Sequence, residues 1–319
     1  MKYRFTIGLP ITKTKFLEKT LASLDKQVFN DFEIVIKNNG VDEKVRKEIK
    51  NKCEYLLNRK NVKYSENKNQ LNISLNFNSI IEIAEGEYFT ILSDDDILHA
   101  NFLLEFDLLI KKYPLVSIFH CKVKQIDDNG NLITYTENCP EYESQDNFIF
   151  NRITNKRSLF LSDFVCSTKE LRKINGFIVL PNGWGIDEIT WFRLSKNGIA
   201  FLSNALLEYR ISNINFSQKM NFAARLKDIE ITNCEIVNII RLDLMAEKII
   251  YPIDFLLDLN KKRKIQMVTQ CMISYSRTVG IFSIIYKYMA NKKEFGLPMT
   301  TFFRIIVRKI MKIDIIKAR

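Results

Sequence analysis

"GEYFTILSDDDIL", residues 86–98, carries an apolar strand pattern straight into three adjacent carboxylates, Asp94, Asp95 and Asp96. Crowded like charges raise one another's pKa and resist burial, so something must offset this turn. Working outward, the first hundred residues alternate two hydrophobic periods. Strand patterns at 3–9, 32–37, 61–66 and 87–92 alternate with helical patterns at 13–27, 42–57 and 73–86, where Gly86 reads as a helix stop. This βαβαβαβ order predicts an α/β fold: a mostly parallel sheet covered by helices on both sides. Ligands of such sheets bind beyond the carboxyl ends of the strands. Pro10-Ile11-Thr12, Asn38-Asn39 and Asp94-Asp95-Asp96 all fall there, so three turns are expected to share one crevice.

After a helix at about 100–112 the pattern changes. Residues 115–126 and 132–136, joined through "DDNGN", read as an antiparallel hairpin. Residues 137–160 are polar and irregular, as in an active-site loop, and 182–198 reads as a loop and short helix closing at Gly198. One or two strands follow at 199–212, and then helical segments near 219–248, 262–289 and 299–317. This divides the chain into a sheet-forming unit at 1–216 and a basic helical region at 217–319.

With 46% hydrophobic and 12% aromatic residues, the composition forms a core and argues against disorder. The net charge of +11 suits anionic partners without choosing among them. Six cysteines without a CxxC pair argue against zinc and suit reduced thiols. With no signal-peptide pattern at the start and no long apolar run, the expected location is the cytoplasm. The two histidines, His99 and His120, support no catalytic triad, and His120 reads as a hydrogen-bonded core residue.

Hard divalent cations take oxygen ligands, and Mg2+ or Mn2+ is commonly held by one or two carboxylates plus substrate phosphates. A metal so held neutralises a departing diphosphate. The plainer reading of the triplet is a solvated acidic turn with Asp96 capping the next helix.

"GEYFTILSDDDIL" resembles the strand and DxD segment of family 2 glycosyltransferases of the GT-A (Rossmann-like) fold. The opening, "FTIGLPITKTKFLEKTLASLDKQVFNDFEIVIKNNG" at 5–40, is similar to the family's nucleotide-binding start, and "GWGIDEITWFRLSKNG" at 183–198 to its second acidic motif. The likeness spans about residues 4–217. It implies inverting transfer of a sugar from a nucleotide-sugar donor to an acceptor hydroxyl. On that resemblance Asp95 is the direct ligand of Mn2+ or Mg2+, and Asp96 a second or water-mediated one. Asp94 faces the ribose or sugar, while Pro10, Thr12 and Asn39 lie near the nucleotide. Asn38 stands where the family usually has an acid that reads the base. Asp187 matches the catalytic base, with Glu188 as its rival; Asp187 could equally cap the helix after it. Trp184, between two glycines, could stack on a sugar or pack in the core. In "LEYRISNINFS", 207–217, Tyr209 and Arg210 match the family's Tyr-Arg-x-His, but Ser212 replaces the histidine. Arg210 could pair with the diphosphate.

The basic tail, 291–319, holds eight Lys/Arg and two acids, with Arg304, Arg308 and Lys312 at i+4 spacing. Phe302, Phe303, Ile306, Ile310, Ile313 and Ile316 add a broad apolar surface. Such helices suit an anionic membrane surface, which would fit a lipid-linked or other saccharide acceptor, or they pack as a bundle or pair two copies of the chain. No nucleic-acid motif accompanies the charge. Two other functions would use the same residues. A nucleotidyltransferase would want a glycine-rich phosphate loop, where "GLPITKTK" has one glycine. A membrane-surface scaffold without activity would tolerate Asn38 and Ser212.

Overall fold

The protein is described by a computed structural model covering residues 1–212, 221–244, 249–276 and 278–311. The expected boundary at 216/217 lies outside these residues, as do Lys312, Ile313 and Ile316 of the tail.

The first half follows the expected alternation: β1 (Tyr3–Ile11), α1 (Leu17–Asp25), β2 (Phe32–Asn38), α2 (Glu43–Leu57), β3 (Val62–Glu66), α3 (Ile73–Ile83) and β4 (Gly86–Ile91). β1 runs parallel to both β2 and β4, and β2 parallel to β3. Then come β5 (Ile97–Leu98), α4 (Phe102–Lys112), β6 (Ile118–Ile126), β7 (Leu132–Tyr135), β8 (Tyr142–Glu143), α5 (Gln145–Ile153) and β9 (Phe164–Ser167). α6 (Thr168–Lys173), α7 (Ile186–Leu194) and β10 (Ile199–Arg210) complete one ten-stranded sheet in the order β3-β2-β1-β4-β9-β6-β10-β5, with β7 on β6 and β8 on β10. The helices α8 (Phe222–Leu242), α9 (Ile253–Ser276), α10 (Ile281–Phe295) and α11 (Met299–Met311) follow.

Alternation along β1 builds one core: Phe5, Ile7, Leu9 and Ile11 pack with Leu21 of α1, Ile49 of α2 and Phe106 of α4. On the other face Val35, Phe89 and Ile91 meet Phe77 and Ile80 of α3, Phe192 of α7 and Ile236 of α8. Hydrophobic packing is thus continuous from the sheet into the helical region. A third cluster joins Val268 and Met272 of α9 with Ile284 and Tyr288 of α10 and Ile305 of α11.

Four expectations change. Gly86 does not stop a helix: α3 ends at Ile83, and Gly86 opens β4 opposite Tyr3. A Cβ there would run into the backbone of Phe5 and Thr6, so close approach is what requires glycine. The polar stretch 137–160 contains β8 and α5, because Phe148, Ile149 and Ile153 recur at helical spacing and are buried. The segment near 262–289 is two helices, the second opening after Gly280. His120 is indeed a core residue, stacked on Phe164, but its Nε2 has no hydrogen-bond partner among the described residues.

Candidate active site

The acidic turn sits at the carboxyl edge of β4. The Leu92 amide still donates to the Gly8 carbonyl at 2.9 Å, which carries the ladder up to the aspartates. Asp94, Asp95 and Asp96 are only 5%, 8% and 1% exposed, so this is not a solvated turn. Asp94 Oδ2 accepts from the Thr12 amide (2.7 Å), the Thr12 hydroxyl (3.0 Å) and the Lys13 amide (2.8 Å). The loop after Pro10 and the acidic turn are therefore one piece. The Lys13 ammonium stands 3.0 Å from Asp95 Oδ2 and 3.6 Å from Asp94 Oδ1. Asp96 accepts from the Ser162 hydroxyl at 2.7 Å and from the Arg210 amide at 3.1 Å. Burial, then the Asp95 charge, push Asp96 up to about 8. Burial also raises Asp94, although Lys13 pulls it back. The turn is short of positive charge.

The structure brings the three expected turns together, but two motifs face inward. The Asn39 amide donates to the Ile11 carbonyl at 2.8 Å, tying the second turn to the first. The Asn38 side chain is fully buried and donates to the Arg46 carbonyl (2.8 Å) and the Tyr64 hydroxyl (2.9 Å). The Asn39 side chain bonds both Leu71 backbone groups. Both amides set the shape of the crevice wall. Arg210 is buried beneath the turn instead of lining the crevice. It donates to the carbonyls of Asp95 (3.2 Å) and Asp127 (2.8 Å) and lies over the Phe16 ring.

The second acidic motif is aimed by glycines and by α8. Gly183 and Gly185 take positive φ of 71° and 84°, which turns the chain into α7. The amides of Asn182 and Trp184 both donate to Asp228 Oδ2 at 3.0 Å, and the Thr232 hydroxyl donates to the Trp184 carbonyl at 3.1 Å. The Arg225 guanidinium lies 3.9 Å over the Trp184 ring and covers one of its faces.

Adjacent acids on α7 then diverge. Glu188 is buried between Arg152 (2.6 Å) and Arg263 (2.7 Å). Burial alone would raise its carboxyl, but Arg263 and Arg152 together hold it below the ordinary range. Asp187 is half-buried in the first turn of α7 and makes no ion pair among the described residues. Burial, then the Glu188 charge, hold it above the ordinary range. Asp163, buried just before β9, feels the charges of both Asp187 and Asp96, and burial pushes it far up.

With this geometry in view, the sequence model of the family described as Glycosyl transferase family 2 matches residues 11–170, half of the chain. The chain belongs to glycosyl transferase family 2. The family match ends before α7, so the second acidic motif lies beyond it. An uncharacterized glycosyltransferase of Methanocaldococcus jannaschii is 26% identical to this transferase over 220 residues, covering 67% of the chain and 70% of the relative. Among solved structures, TarS 1-349 of S. aureus in complex with UDP-GlcNAc superposes with a TM-score of 0.63 at 17% identity, covering 93% of this chain and 82% of that one. The mannosyltransferase PcManGT of Pyrobaculum calidifontis, in complex with GDP-Man and Mn2+, gives 0.54 at 12% identity, covering 98% and 89%. These likenesses place the transferase in the GT-A fold.

Sequence reasoning missed four groups in this glycosyltransferase. Asp163 left a signal, a lone acid inside the apolar run "LFLSDFVCS" at 159–167. Lys13 was one of several lysines in its loop. Arg263 and Asp228 lie on helices far along the chain, and nothing local marks them. Among the described residues, no group of three or more His, Cys, Asp or Glu side chains is arranged to hold a metal ion by itself.

Proposed function

We propose that the enzyme transfers a sugar from a nucleotide-sugar donor to an acceptor hydroxyl, with inversion at the anomeric carbon and with Mn2+ or Mg2+ at the acidic turn. The observation that carries this reading is the buried acidic turn at the carboxyl edge of β4, where Asp94 accepts from Thr12 and Lys13 and Asp95 stands against the Lys13 ammonium. Two solved neighbours of the same fold hold nucleotide-sugars, and one of them also holds Mn2+.

The residues fit a hard cation that takes few protein ligands. Asp94 and Asp96 are engaged by hydrogen-bond donors, while Asp95 meets a lysine ammonium, a displaceable counter-charge. Asp95 would be the direct ligand and Asp96 a second or water-mediated one. Bound there, the cation neutralises the departing diphosphate. Asp94 fastens the Thr12 loop to the turn, and Pro10, Asn38 and Asn39 wall the nucleotide crevice. Arg210 braces the Asp95 carbonyl from below. Asp187 accepts the proton of the acceptor hydroxyl as that oxygen bonds to the anomeric carbon. The bond from that carbon to the phosphate oxygen breaks, and the diphosphate leaves with the electron pair. A base held above the ordinary carboxylate range suits this task. Trp184, partly exposed in the loop just before α7, would be available to contact a sugar. The acceptor is a saccharide or lipid-linked glycan in polysaccharide or glycolipid synthesis.

The test is calorimetric binding of nucleotide-sugars with and without Mn2+, followed by turnover. Asp95→Asn should weaken Mn2+-dependent donor binding by about tenfold or more. Asp187→Asn should keep that binding and lose on the order of 10²–10⁴ in transfer rate. Full transfer by Asp187→Asn would discard this base, and donor binding indifferent to chelation would discard the metal.

A further inference from the structure

Among the described residues, the helical region leaves one apolar face without a partner. On α10, Ile284 and Tyr288 point into the third hydrophobic cluster. Ile281, Phe282, Ile285, Tyr286 and Met289, at i, i+1, i+4, i+5 and i+8, lie on one arc of the same helix. All five are exposed, Phe282 by 84% and Tyr286 by 70%. On α11 the surface expected from sequence is split. Ile305 is buried, and Phe302 and Ile306 pack against the cluster. Phe303 and Val307, one turn apart, remain 60% and 48% exposed. An exposed apolar arc of this kind on a folded chain marks an interaction site.

Charge decides what covers it. Residues 278–311 hold six basic side chains against the single acid Glu294, a net +5. Lys292 and Lys293 close the last turn of α10. Arg304 and Arg308 run beside the ridge of Phe303 and Val307 on α11, whose last turn also holds Lys309. Pairing this face with its own copy would set like charges together around the contact. Anionic lipid headgroups complement the same charges, and Phe and Tyr among lysines are the side chains that settle at a bilayer interface. Among the described residues, no helix is long and apolar enough to cross a membrane, so the surface would lie on the bilayer.

We infer that the exposed face of α10, with the Phe303–Val307 ridge of α11, docks the protein on an anionic lipid bilayer. Trp184 packs against the hydrophobic cluster beneath these helices, so docking brings the loop ahead of Asp187 toward the lipid side.

The test is co-sedimentation of the full chain with phosphatidylcholine vesicles, with and without phosphatidylglycerol. Wild type should sediment only with the anionic vesicles, and less at high salt. Phe282→Ser/Tyr286→Ser should lower vesicle partitioning about tenfold or more. Lys292→Glu/Lys293→Glu should do likewise. All four side chains lie outside the crevice, so thermal melting and nucleotide-sugar binding should be unchanged, which keeps this result separate from the proposed reaction. Wild type left in the supernatant with anionic vesicles would overturn the inference. So would unaltered partitioning by either double variant, or a dimer in light scattering that Phe282→Ser/Tyr286→Ser abolishes.

Discussion

Asp187 and Glu188 are neighbours of like chemistry, and their surroundings separate their roles. Glu188 is buried and neutralises Arg152 and Arg263, so Glu188→Gln leaves both without a counter-charge. Breaking a buried ion network costs about 3–5 kcal/mol. A lower melting temperature is expected for Glu188→Gln, while Asp187→Asn should melt near wild type. As the proposed base, Asp187 would act only when deprotonated, and burial with the Glu188 charge raises its pKa. Transfer should therefore fail as pH drops through that raised value, and the acid limb of kcat/KM should lie above the ordinary aspartate range. A limb at the ordinary value would contradict this environment. At this scale the sequence was legible where residue type and register together carried meaning, as in the placement of Asp94–Asp96 at the carboxyl end of β4 beside the Thr12 loop. It was silent where a role depends on a distant partner. Nothing near Arg210 in the chain says that its guanidinium will donate to the carbonyls of Asp95 and Asp127.

The elements of the first half were legible because each obeys one hydrophobic period and buries one face. β1 shows this most simply, with alternate side chains in one core and Gly8 on the opposite side against Ile80 and Phe89. The elements that were missed are short. β9 has four residues and β8 two, too few to display a period, and α5 hides three buried apolar residues among polar ones. Gly86 was misread because glycine ends helices and also permits close backbone approach, and only the packed structure decides between them. Gly86→Ala should therefore cost about 1–3 kcal/mol or more, since the new methyl meets main chain that cannot rotate away. Chemical denaturation would measure it, and a neutral result would show that β1 and β4 can separate.

On the scale of the whole molecule, one buried histidine ties stability to pH. His120 lies between Phe164 and Phe201, and burial, helped by Arg157, holds it down at about 3 from an ordinary 6.5. It stays neutral in the fold while the unfolded chain takes up a proton, so stability should fall as pH drops from about 6.5 toward 3. The slope from this group is at most about 1.4 kcal/mol per pH unit. His120→Phe should flatten the decline in urea midpoint over that window. The helical region was legible as helical and basic, but its attachment was not. Asp228, Thr232 and Arg263, all beyond the sheet, grip the loop and helix that present Asp187. A version trimmed after β10 should keep its aspartate turn intact and lose the hold on the loop before Asp187, the proposed base. Grafting another helical region onto this scaffold would have to carry those three side chains along, because the clamp and the loop it holds are made by different parts of the same chain.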